Sequence, residues 1–351
     1  MNCKTLCVAF MLSLGMTFFA GNSQAEDEYV NFLLEEDEDS KGDAVSRVIK
    51  PYFNEKSIIQ DVVDFPKFKG FGHLILPISS MSDLSVLLPD VYRIMNVHHN
   101  VYASNTIDSL NYLAHEVDLG NKVYYPIYNE GKIREDGSCK DSGLFFLKAK
   151  EKAPFAVVVP GGNDYYSSVI HEGLPLAINL HKRGYNVFVL SYRKRSVSVG
   201  SDDLATAIDY IMEHAEELNV AVKGYSLWGA GLGCQVVLNV TQNLYHRRDC
   251  EYGKSVTNVL EYPIAYHSSQ NDVPTVFVVG ETDNIVNKTV LKSAVLNLKK
   301  MKLSSLYISV PKFGHAFGLG LEKYSISSSD WITQSVEFWN ENRVSRINFG
   351  N

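Results

Sequence analysis

Three short loops and one glycine-framed turn hold the residue types that could do chemistry in this chain. Residues 280–286 (GETDNIV) place Asp283 just after the apolar run PTVFVVG, and residues 313–320 (FGHAFGLG) place His315 in a Gly-rich loop after the next run. A carboxylate in that position can orient and stabilise an imidazole that reaches across from a later loop, which makes an acid–base pair. Asp283 would equally suit the cap of a helix expected from residue 286 onward, and a lone loop histidine is more often plain surface. The order strand, Asp, strand, His raises the pair above those readings. Residues 160–166 (PGGNDYY) follow a third apolar run. Gly161 and Gly162 there let the backbone approach a ligand and turn N–H groups toward a developing oxyanion, with Asn163 and Tyr165 as neighbouring pocket residues. An ordinary turn would look similar. Residues 229–233 (GAGLG) form the fourth feature, with Gly231 at the centre and the Leu232 N–H as a further donor.

The elements that must position these loops are short apolar runs alternating with stretches of helical period. Strands are expected at residues 122–128 and 143–149, then at 155–160, 185–192, 224–229, 258–265, 274–280 and 305–310. Helices are expected at 172–183, 202–218, 233–244, 286–300 and 330–342. Near-continuous hydrophobic strands between helices imply an α/β fold, a mostly parallel central sheet with helices on both faces. Residues 121–345 make up that domain, and residues 45–120 form an N-terminal extension packed on its core. No internal repeat interrupts the pattern.

These loops, together with YSLWG, GYNVFVLSYR, FKGFGHLILP, LNYL and HEGLPLA, resemble the α/β-hydrolase family, in particular its bacterial esterase/lipase-like and acetyl-esterase-like members. The resemblance runs over about residues 65–338. It implies a nucleophile elbow, G-x-S-x-G, after the strand that reads Tyr225-Ser226-Leu227-Trp228, with the acid and the histidine following in chain order. It also implies Asp283 as the acid, His315 as the base, Gly161 and Gly162 as oxyanion-loop glycines, and a small ester or acetylated carbohydrate as ligand.

The chain departs from that pattern where the chemistry starts. Gly229 and Gly233 frame the elbow, but the nucleophile position is Gly231. Without a side chain there, no acyl-enzyme can form through this residue. Glycine adopts positive φ without a Cβ penalty, so the turn itself should survive. Substitutes are poorly placed. Ser226 lies about 16 Å back along the strand, and Cys234 should pack inward on the following helix. Ser167 and Ser168 follow the oxyanion loop, and a water on His315 is conceivable. Two readings result: a catalytically degenerate protein acting as a binding or regulatory module, or an ester hydrolase using a substitute nucleophile or activated water. His171-Glu172 reads as the capping and packing start of a helix, and Tyr166 as a second aromatic at the pocket mouth.

The rest of the sequence narrows the class. A formal charge of −7, from 33 Lys and Arg against 40 Asp and Glu, argues against nucleic acid as a partner. Apolar residues at 45% are enough for a sizeable core. No H-E-x-x-H or C-x-x-C occurs, so no metal is expected, and GAGLG lacks the Lys-Ser/Thr of a phosphate loop, so no cofactor is expected. Residues 1–25 read as a cleavable signal peptide, with Lys4, an apolar run at 6–20 and small residues before a cut after Ala25. The run is shorter than the roughly 20 residues of a membrane span. The mature protein is therefore expected to be secreted or periplasmic, with no membrane span after cleavage. Residues 26–44 read as an acidic flexible leader. Cys139, Cys234 and Cys250 remain, an odd number that permits at most one bridge.

Overall fold

A computed structural model describes residues 51–95, 97–98, 101–149, 152–244, 254–319 and 326–349. The expected signal peptide, the acidic leader and Cys250 lie outside the described residues. The compact unit that begins at Tyr52 holds every strand of the sheet.

Runs of Val, Phe, Leu and Ile that face water on neither side must lie inside a sheet covered twice. Eight strands form that sheet: β1 Tyr124–Pro126, β2 Gly143–Leu147, β3 Phe155–Val159, β4 Asn186–Ser191, β5 Ser226–Ala230, β6 Thr257–Glu261, β7 Thr275–Gly280 and β8 Ser305–Val310. Their order is β1-β2-β4-β3-β5-β6-β7-β8. β1 and β2 are antiparallel to their neighbours, and β4 through β8 pair in parallel. Every residue of β2 to β7 is buried. The expected mostly parallel sheet is thus what the chain builds.

The longer helices are α1 Ala103–Asp118, α2 Leu174–Lys182, α3 Val197–Glu213, α4 Leu232–Asn239, α5 Lys288–Lys300 and α6 Ile326–Phe349. Before α1 the chain makes short helical turns, and this segment contributes Phe53, Ile59, Phe68, Leu88 and Val91 to the same core as the sheet. Several boundaries differ from expectation for identifiable reasons. The strand expected at 258–265 ends at Glu261, because Tyr262 turns to φ 41° and Pro263 has no N–H to continue a ladder. The helix expected at 202–218 starts earlier, at Val197, where the Ser196 side chain accepts the Val199 N–H. The helix expected at 172–183 opens with a wide π turn, Val169–Gly173, before α2.

The connections create the crevice that matters. From β3 the chain crosses through α2 to β4 on one side, then through α3 back past β3 to β5. Right-handed crossovers in opposite directions put α2 and α3 on opposite faces. On one face Ser201 of α3 donates to the Val236 carbonyl of α4 (3.4 Å). On the other, Tyr185 at the end of the α2 turn packs on Trp339 of α6, with ring centroids 4.6 Å apart. The reversal of direction opens a crevice at the carboxyl ends of β3 and β5, where ligands of open α/β sheets sit. Gly161 and Gly231 stand at those two ends.

Helix α4 lies so close to β3 that a Cβ on Gly233 would collide with the Val159 carbonyl and sit 2.8 Å from that of Pro160. Gly233→Ala should therefore lower stability by about 3 kcal/mol, the upper end of overpacking costs. A urea-denaturation midpoint no lower than that of the unsubstituted protein would contradict this packing.

Candidate functional site

Gly231 forms the hinge between β5 and α4, with φ 50° and ψ −113°. Its N–H donates to the Glu261 carbonyl of the neighbouring strand (2.9 Å), and its own carbonyl accepts the Cys234 N–H (3.1 Å). A Cβ built on Gly231 would meet only ring carbons of Tyr262, at 3.7 and 3.8 Å. Space for a small side chain exists, although the backbone sits in a region that L-residues enter at a cost of about 1–3 kcal/mol.

Asp283 and His315 meet. Asp283 Oδ2 lies 2.9 Å from His315 Nδ1, while its Oδ1 accepts the N–H groups of Ile285 (2.8 Å) and Val286 (2.9 Å). The two roles open at the sequence level are shared between the two oxygens of one carboxylate: one pins the turn, the other orients the imidazole. Asp283 itself is buried, and the His315 side chain is 11% exposed. The Tyr262 ring packs edge-on against His315, with centroids 5.2 Å apart, so Tyr262 adjoins both the imidazole and the vacant side of Gly231.

The loop after β3 differs from expectation in its details. The Gly161 N–H is not directed at the crevice: it donates to Glu172 Oε2 (2.7 Å). Gly162 lies between two cross-loop hydrogen bonds, Asn163 N–H to Tyr166 O (3.1 Å) and Ser168 N–H to Gly161 O (3.0 Å). Its own N–H, like that of Leu232, has no acceptor among the described residues. Asn163 uses its Oδ1 to accept the N–H groups of Tyr165 (2.8 Å) and Tyr166 (3.2 Å), so it shapes the loop instead of lining a pocket. Tyr165 is 70% exposed, on the rim of a different cavity from the dyad, whereas Tyr166 is buried.

Glu172, expected only to open a helix, is a buried carboxylate at the junction of four segments. Besides Gly161, it accepts the Tyr262 hydroxyl on Oε1 (2.7 Å) and pairs through Oε2 with His98 Nε2 (3.4 Å). His98 in turn lies 3.3 Å through Nδ1 from the Tyr166 hydroxyl. The Tyr262 hydroxyl accepts the Gly318 N–H, and His171 Nε2 donates to the Ala316 carbonyl, both at 3.3 Å and both on the His315 loop. Burial by itself would push the Glu172 carboxyl up, but His98, His171 and the Tyr262 hydroxyl outweigh it and hold the group at about 2. Two non-glycine residues with positive φ, Tyr262 (41°) and Ala316 (52°), flank this junction. Such outliers persist only where surrounding bonds over-determine them. In the sequence, the one signal for Tyr262 is its place just past β6. Glu172 and His98 carry no such mark.

The substitute nucleophiles are occupied or enclosed. Ser226 is buried and bonded to Thr257 Oγ1 (2.8 Å). Cys234 Sγ donates to the carbonyls of Gly229 (3.1 Å) and Glu261 (3.2 Å), and burial pushes its thiol well up. Ser167 and Ser168 are buried, and neither hydroxyl has a hydrogen-bond partner among the described residues. Cys139 and Cys234 are both free thiols. Among the described residues, no group of three or more His, Cys, Asp or Glu side chains is placed to hold a metal ion, and no helix is long and apolar enough to cross a membrane.

This sheet order, with its reversal at β3 and its helices on both faces, is an α/β-hydrolase fold. Solved structures agree. The chain is similar to MGS-M1, an α/β hydrolase enzyme from a Medee basin deep-sea metagenome library, at 17% identity and TM-score 0.51, covering 63% of this chain and 97% of that one. It is similar also to the esterase Est2 of the planctomycete Thermogutta terrifontis, at 15% identity and TM-score 0.51, covering 62% and 91%. That esterase phosphorylated by paraoxon matches at 17% identity and TM-score 0.52, covering 62% and 93%. No family model matches the chain, and neither does any curated protein sequence.

Because the Glu172 pKa lies below its ordinary 4.5, its contribution to stability is full above that value and is lost as pH falls toward about 2. Glu172→Gln should flatten that part of the stability–pH curve measured by urea titration. Glu172→Ala, which leaves three buried partners unsatisfied, should cost about 3–5 kcal/mol at neutral pH. An unchanged acid slope in Glu172→Gln would show that the carboxylate is not held in this way.

Proposed function

We propose that this protein binds small ester or acyl ligands at the crevice between β3 and β5 and forms no acyl-enzyme, because Gly231 takes the place of an attacking serine. The observation that carries the reading is the backbone of Gly231: a positive-φ turn from strand into helix, beside an intact Asp283–His315 pair and the unengaged N–H groups of Gly162 and Leu232. Asp283 and His315 are then the acid and base that remain, and Gly162 with Leu232 the donors for a carbonyl oxygen. Gly161 supports the loop through Glu172 and does not donate to the ligand. The similarity to an esterase solved with butyrate bound supports a short acyl group as the kind of ligand.

A second reading is favoured by the same dyad. With Asp283 and His315 aligned, the imidazole could activate a water for slow ester hydrolysis without a covalent step. The enclosed positions of Ser167, Ser168, Ser226 and Cys234 speak against a substitute side-chain nucleophile.

Turnover of nitrophenyl acetate and butyrate, with labelling by a serine-directed fluorophosphonate, separates these readings. The unsubstituted protein should be unlabelled and close to background. Gly231→Ser should become labelled and gain activity, at a cost of about 1–3 kcal/mol in stability from the turn. Adding His315→Ala should remove about 10²-fold or more of that gain. Labelling of the unsubstituted protein at any serine would overturn the proposal, and His315-dependent turnover without labelling would favour the water reading.

We also place the protein outside the cytoplasm, from Lys4, the apolar run at residues 6–20 and the small residues before Glu26. N-terminal sequencing of the protein exported by its host should begin at Glu26. An N-terminus still at Met1 would contradict this.

A further inference from the structure

Next to the crevice, the loops after β3 and β4 line a second, half-open cavity of about 380 Å³ together with residues 73–78 and 138–141. That is within the lower range of small-molecule pockets. Its charged groups differ in how fully they are used. Arg193 is committed to the wall: its guanidinium binds Asp203 through Nε (3.0 and 3.2 Å) and Nη2 (2.6 Å), Asp136 (2.9 Å) and the Tyr128 hydroxyl (3.0 Å). Lys194 is not committed. Its ammonium has one long contact, 3.4 Å to the Tyr165 carbonyl, and no carboxylate within ion-pair distance among the described residues. Asp141 and Asp164 also line the cavity, and neither side-chain carboxylate makes a hydrogen bond or ion pair with a described residue.

The half-buried Lys194 ammonium is therefore partly stripped of water, and burial lowers its pKa while the field of Asp141 opposes the change. Both signs of charge face one space without neutralising each other directly. A net anion placed there is repelled by Asp141 and Asp164, and a net cation by Lys194 and the neighbouring Arg195. A neutral hydroxyl can donate to a carboxylate and accept from an ammonium at the same time. On the rim stands the Tyr165 ring, 70% exposed, an apolar plane beside these polar groups.

We propose that this cavity is a binding site for a neutral, hydroxyl-rich small molecule of saccharide type, its hydroxyls shared among Asp141, Asp164 and Lys194 and its ring face lying on Tyr165. The site stands apart from the dyad and does not depend on what Gly231 does.

Isothermal titration of the full chain with glucose, xylose and cellobiose tests the site, with citrate as an anionic and glutamate as an amino-acid comparison. At least one neutral saccharide should bind in the millimolar range or tighter. Tyr165→Ala and Asp164→Asn, both exposed positions that leave the core untouched, should weaken it about tenfold or more each. His315→Ala should leave the affinity unchanged, which separates this site from the reading of the dyad. No heat with any of the three saccharides would overturn the proposal. So would binding indifferent to both rim substitutions, or tighter binding of citrate or glutamate.

Discussion

The buried carboxylate of Glu172 is the constraint on which the site's architecture depends. It reaches the loop after β3 through Gly161, the residue beyond β6 through Tyr262, and the segment before α1 through His98. An ionised group with 1% exposure is tolerated in a protein interior only when its lone pairs are filled. That requirement acts in reverse on the partners. Each of the three segments must hold its donor within reach, so the loops around Gly231 and His315 are fixed in place by satisfying one charge.

Backbone strain at the same place results from this demand. Tyr262 must turn its hydroxyl toward Glu172 while its ring remains against His315, and it does so at φ 41°. Ala316, whose carbonyl takes the His171 N–H, sits at φ 52°. Neither conformation is favourable alone. Both are carried by hydrogen bonds whose loss would leave buried polar groups unpaired.

Much of the fold is legible in the chain because burial on both faces writes itself into sequence as runs such as FAVVV and TVFVV. The Asp283 and His315 loops are visible as well, since each comes after an apolar run; Asp283 also suits a plain turn, and it is the order of the two loops that marks the pair. The limits are physical too. Glu172 and Tyr262 are ninety residues apart, and His98 lies farther back still. A single buried hydrogen-bonded junction has no period and no composition, so His171-Glu172 reads as a helix start. The same junction takes the Gly161 N–H, which glycine spacing alone assigns to the ligand. The end of β6 falls four residues short of expectation because the turn at Tyr262 is dictated by that contact as well as by Pro263.

One oxygen of Asp283 is tied to two backbone amides, which leaves the other a single direction in which to face the imidazole. A ring held this way keeps its proton on Nδ1 and presents a bare lone pair on Nε2. Glycine at 231 adds no side chain beside the Tyr262 ring that packs on this imidazole, so the direction in which Nε2 faces is set by the carboxylate and that ring alone.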